Sequence, residues 1–123
     1  MTVLEYLGGL PRQQGLTPVE VRVDRQAVRL KQGGFLHRWS CQLPLTTIAS
    51  AELTLAQDIR GSGILPADTE ALLNQPREYL LAIAVTVDDQ PASVILRGPW
   101  TALSRLRQDI LQARMRATRQ WHP

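Results

Sequence analysis

The stretch "VEVRVDRQAVRLK", residues 19–31, limits the possible folds more than any other part of the chain. Val19, Val21 and Val23 alternate with Glu20, Arg22 and Asp24, and Val28 and Leu30 then alternate with Arg29 and Lys31. A period of two places the valines on one face of a strand and the charges on the other. The interruption "DRQ" is a turn, so the stretch reads as an antiparallel hairpin with one dry face and one wet face. Such a hairpin needs an apolar cover on one side only.

The rest of the chain supplies more strands before it supplies a cover. "FLHRWSCQLPLTTIASAEL" alternates again, with Phe35, His37, Trp39, Cys41, Leu43 and Leu45 on one face. Pro44 lacks an N–H, which places this strand at a sheet edge or a bend. Ile48, Ala51 and Leu53 continue into a further strand. "GSG" then makes a turn, and "PADTEALLNQP" reads as a short helix with Pro66 in its first turn and Pro76 as its stop. "YLLAIAVTVDDQPASVILRG" is a second hairpin turned by "DDQP". Its first strand is almost continuously apolar, which predicts cover on both faces.

"WTALSRLRQDILQARMRATRQ" closes the chain as an amphipathic helix. At 100° per residue Leu103, Leu106, Ile110, Ala113 and Ala117 form one stripe, with Arg105, Asp109, Gln112, Arg116 and Arg119 opposite. Arg107 and Arg114 flank the stripe, where their stems can cover apolar surface. Gly98 and Pro99 end the preceding strand, and Thr101 is placed to cap the helix.

Charge is uneven along the chain. Six arginines against the single Asp109 between 97 and 119 leave +5, and the remaining eight basic and ten acidic residues leave −2. Aromatic residues make up only 5%, too few for a single-strand stacking platform, and no nucleic-acid-binding motif occurs. Nucleic acid is therefore not an expected partner. Cys41 stands alone, so no internal disulfide forms, which fits a reducing compartment. The start "MTVLEYLGGLPRQQ" has no basic region followed by a long apolar run, and "YLLAIAVTV" is too short to span a bilayer. A soluble, cytoplasmic protein is expected.

With 123 residues the chain suits one domain. Residues 1–18 read as a leader in which Val3, Leu4 and Leu7 have helical spacing before a Gly8-Gly9 stop. Residues 19–119 read as the domain, and 120–123 as a tail.

Many strands followed by one amphipathic helix resembles the bacterial pleckstrin-homology-like (PH-like) domain family. The resemblance rests on the opening hairpin (19–31), on "LPLTTIASAEL" (43–53), which is similar to the family's "IPLxxIxxV" run, on the late hairpin (79–97), and on "GPWTALSRLRQDILQA" (98–113). It covers about residues 19–117 and implies a mainly β (α+β) fold, a bent antiparallel sandwich or barrel capped by the C-terminal helix. Segment 56–78 departs from the family's pattern and leaves the strand count there open. Lipid-binding PH domains carry K-x(n)-[KR]-x-R in the first hairpin, and Arg22, Arg29 and Lys31 loosely occupy those places.

No strong catalytic or metal pattern emerges. His37 and His122 are the only histidines, and with Cys41 they give no ligand spacing. Cys41 lies four residues after His37 on a face that reads as buried, where cysteine is a small core residue. The "GSG" turn matches no phosphate-binding loop. No cofactor is expected. The expected function is a non-catalytic binding or scaffolding module whose partner is another protein or a second copy of itself. Arg105, Arg116, Arg119 and Trp121 form its candidate partner surface. The first alternative is an anionic phospholipid or membrane-surface binder using Arg22, Arg29 and Lys31. The second is a small enzyme whose site the pattern does not reveal.

Overall fold

The structure is a computed structural model that describes residues 2–11, 17–32, 40–73, 75 and 77–120, the last two without their side chains. Phe35, His37, Trp39, Pro76, Trp121 and His122, and the side chain of Arg119, lie outside the described residues.

The described strands are β1 (Thr2–Gly8), β2 (Thr17–Val23), β3 (Ala27–Gln32), β4 (Ser40–Pro44), β5 (Ile48–Leu55), β6 (Tyr79–Val87) and β7 (Gln90–Arg97). A 3-10 turn (Leu45–Thr47) joins β4 to β5, α1 (Ala56–Ile59) and α2 (Ala67–Glu70) lie between β5 and β6, and α3 (Trp100–Gln120) closes the chain. All seven strands form one antiparallel sheet in the order β4-β3-β2-β1-β7-β6-β5. The fold is therefore mainly β with a C-terminal helix, an α+β arrangement.

That strand order and one short connection fix the sheet's shape. Strands β4 and β5 are its two edges, yet only Leu45–Thr47 separate them. Seven flat strands put their edges about 29 Å apart, while the chain from Pro44 to Ile48 reaches at most about 14 Å. The sheet must bend round until its edges approach. It does not close, since β4 and β5 are not paired. The alternative of a fully closed barrel is therefore corrected to an open, bent sheet. Pro44 ends β4 at the edge and leads into the bend, as its missing N–H requires.

The helix α3 fills the mouth of the bend. It packs against β2 in one half of the sheet and against β5, β6 and the 3-10 turn in the other. Leu103 and Ile110 are fully buried and Leu106 nearly so, while Ala113 and Ala117 pack half-buried against the same core. Arg105, Asp109, Gln112 and Arg116 are exposed. The helix starts at Trp100, so Thr101 lies inside its first turn and is not the cap; the Leu103 N–H donates to the Pro99 carbonyl instead. No helix among the described residues is long and apolar enough to cross a membrane.

A second, smaller core lies on the outer face of the sheet. Leu80 and Ile95 from β6 and β7 meet Leu7 from β1, and Ala56, Ile59, Leu65 and Leu73 cover them. This cover explains the apolar run of β6: Leu81, Ile83 and Val85 face the main core while Leu80 and Ala82 face the second. Segment 56–78 contributes short helices and turns to that cover, and no strand among its described residues.

The start of the chain differs from expectation. The stretch expected as a helical leader is β1, paired with β2 on one side and β7 on the other, near the middle of the sheet. Leu4 and Leu7 imitate helical spacing because the strand is buried on both faces: Leu4 and Tyr6 enter the main core and Leu7 the second. Val3, which a helix would bury beside them, is 60% exposed. Gly9 follows at φ +111°, and a Cβ there would sit 1.6 Å from the Ser93 carbonyl oxygen. Only glycine lets the chain leave the strand so close to β7.

Candidate functional groove

The β2–β3 hairpin sets the first group of candidate residues. Its register pairs Arg22 with Arg29 and Glu20 with Lys31. Directly opposed residues share a face, and Val19, Val21, Val28 and Leu30 are buried on the other one. All three predicted cations therefore stand on the wet outer face. Two arginines set opposite each other would repel, and Asp24 relieves this. Its Oδ2 accepts from Arg29 Nε at 2.5 Å, and its Oδ1 accepts from the Gln26 and Ala27 N–H groups of the turn at 2.8 and 2.9 Å. The Arg29 hydrogen bond, helped by the two backbone donors, holds the Asp24 carboxyl down to about 2. Arg29 is thus neutralised, whereas Arg22 and Lys31 are exposed.

The helix sets the second group. Arg105 and Arg116 are both exposed. They lie eleven positions apart, which is three turns and about 16 Å along the axis. Arg119 falls within α3, but its side chain lies outside the described residues, as does Trp121. Arg107 turns inward: its Nε donates to the Ala51 carbonyl of β5 at 2.9 Å, and its Nη2 stands 3.7 Å from Glu52. The expected cover by the Arg107 stem therefore ends in a specific tie.

Where the hairpin tip meets the second half of α3, the surface opens into a groove of about 870 Å³. Val21, Val23, Leu106, Ala113 and Ala117 give it an apolar floor, and Thr2, Arg22, Asp24, Arg25, Asp109, Gln112 and Arg116 line it with polar groups. The groove unites Arg22 from the first candidate set with Arg116 from the second. Arg29, Lys31 and Arg105 do not line it. Arg25, Asp109 and Gln112 were not candidates, because nothing local marks a turn arginine and two helix polar residues as neighbours. They meet only through tertiary packing across some ninety residues of chain.

The groove can hold a segment that offers apolar groups to its floor and carboxylates to its rim. Arg22, Arg25 and Arg116 face outward as exposed cations. Asp24 is already engaged by Arg29, which leaves Asp109 as the opposing charge. Elsewhere, Cys41 lies half-buried on β4 opposite Leu30, where burial pushes its thiol up and keeps it protonated. A protonated thiol is a poor nucleophile, and His37 lies outside the described residues. Among the described residues no three His, Cys, Asp or Glu side chains group to hold a metal. No protein-family model matches this chain, and no curated protein matches it either.

Proposed function

We propose that this chain is a PH-like binding module that holds a protein partner in the groove between the β2–β3 tip and α3, without catalysing a reaction. The meander order of the strands and the helix packed into the mouth of the bent sheet support the PH-like reading. The observation that carries the functional reading is the groove itself. Its apolar floor sits beside three exposed arginines, the combination that anchors partner side chains in protein interfaces. A cytoplasmic setting accords with the lone Cys41 and belongs to the same proposal.

Anionic membrane binding is the weaker reading. It needs Arg22, Arg29 and Lys31 to act together, but Arg29 is paired with Asp24 and Lys31 stands opposite Glu20. A photo-activatable cross-linker at Gln112, in the groove, compared with one at Gln42 on the outer face, separates the readings. A specific protein adduct of defined mass at Gln112 and none at Gln42, lost when Arg116 is reversed to Glu, supports groove binding. Adduct-free Gln112, together with salt-sensitive sedimentation on phosphatidylserine vesicles that is lost in Arg22→Ala/Lys31→Ala, would replace it with the lipid reading.

A further inference from the structure

The molecule carries, away from the groove, a surface with the chemistry the groove selects. Segment 58–72 presents Asp58 and Asp68 exposed to solvent, with Leu72 48% and Ile64 37% exposed beside them. Asp68 lies in α2 and Leu72 in the turn that follows it, four residues on, and both are exposed. This shoulder is already ordered. Ile59, Leu65 and Leu73 anchor it from beneath, and Glu70 Oε1 accepts from the Gly61 N–H at 3.0 Å. A preordered surface avoids much of the entropy cost of docking. Counting Asp58, Arg60, Asp68 and Glu70, the shoulder carries −2, against a groove rim on which Arg22, Arg25 and Arg116 outweigh Asp109, Asp24 being paired with Arg29.

We propose that the groove's occupant is a second copy of this chain, whose acidic, apolar shoulder at 58–72 enters it head to tail. The proposal rests on the reading of the groove as a partner site and adds the partner's identity. Leu72 and Ile64 supply apolar groups for the floor of Val21, Val23, Leu106, Ala113 and Ala117. Asp68 and Asp58 supply carboxylates for Arg116, Arg22 and Arg25. Shoulder and groove occupy different parts of one molecule: the shoulder covers the outer face of β6 and β7, and the groove lies beside α3. Docking one therefore leaves the other free. Such a contact is heterologous, and it propagates into rings or open filaments instead of stopping at a symmetric dimer. It is also small and charge-steered, so it is weak and falls with salt.

Sedimentation velocity on the purified full chain, from micromolar to near-millimolar concentration at low and high salt, tests this. The parent should sediment faster as concentration rises, and added salt should reverse the change. Arg116→Glu and Asp68→Arg both change exposed side chains and should leave the circular-dichroism melt within a few degrees of the parent. Each should weaken association by at least about 10-fold, since like charges then face each other across the contact. Mixing the two single variants pairs each intact groove with an intact shoulder and each reversed groove with a reversed shoulder, so the mixture should assemble beyond either variant alone. The doubly reversed protein should regain higher assemblies. A parent that stays monomeric at every concentration, or association untouched by both reversals, would overturn the proposal. If the monomeric parent still gives a Gln112 adduct with a different protein, self-assembly is wrong and the groove reading stands. Absence of both sinks the two together.

Discussion

The Arg107 guanidinium reaches out of α3 and donates to the Ala51 carbonyl on β5, the edge strand. One side chain thereby ties the plug to the sheet. It also occupies an edge acceptor that another strand could have taken, and unpaired sheet edges invite such pairing. Arg107→Met keeps the apolar stem and removes the donor. Loss of roughly 1–2 kcal/mol is expected, read from the denaturant midpoint in urea. An unchanged midpoint would mean that water replaces the guanidinium without loss.

The apolar stripe of α3 should be the more sensitive part of the helix. Leu106 is 4% exposed and touches the main core. Leu106→Ala should cost about 2–5 kcal/mol, and Leu106→Asp should leave the chain unfolded, because an unpaired carboxylate would be buried. Arg105→Ala, on the exposed side, should stay within about 0.5 kcal/mol of the parent. Thermal melts of the three proteins would contradict this assignment if Leu106→Asp and Arg105→Ala behaved alike.

Acid should weaken the first hairpin through Asp24. Its folded carboxyl titrates at about 2, below its ordinary value of 3.8, because Arg29 and the turn N–H groups favour the charged form. A depressed folded value contributes stability that is fully present above the unfolded pKa and disappears as pH falls through the folded one. Asp24→Asn retains an acceptor for the turn but cannot pair with Arg29 as an anion. The parent's advantage over Asp24→Asn should be constant near neutrality, shrink from about pH 4 downward, and vanish near pH 2. A pH-independent gap between the two melts would place the contribution in the turn and not in the ion pair.

The exit from β1 should tolerate no side chain. Gly9→Ala sets a methyl group against the Ser93 carbonyl at a left-handed φ, so the β1–β7 junction has to move apart. The cost should exceed about 2 kcal/mol by chemical denaturation. Gly63→Ala meets nothing within 4 Å at φ +83°, and should cost no more than about 1–2 kcal/mol of backbone strain. Equal losses at the two positions would show that strain, not the close approach to Ser93, sets the requirement at Gly9.

Much of the fold was present as local pattern. Alternation marked β2 and β3 because one face of that hairpin is wet. Continuous apolarity marked β6 because both its faces are covered, and the 100° stripe marked the buried face of α3. Asp88 and Asp89, both left-handed at φ 51° and 62°, make the tight turn between β6 and β7 at the place the sequence suggested, since aspartate tolerates that conformation. Local pattern failed for β1. A short strand buried on both faces repeats its leucines at an interval of three, and nothing within seven residues separates that from a helix.

Side-chain chemistry along the chain determined the period of most elements and the sign of each surface, since these follow from residue types and their near neighbours. Tertiary structure alone decided that β1 joins the two halves of the sheet, that the sheet stays open with its edges drawn together by Leu45–Thr47, and that Arg22 shares a groove with Arg116 and not with Lys31. Those outcomes depend on contacts between residues far apart in sequence, where the gain from burying a common core outweighs any local preference.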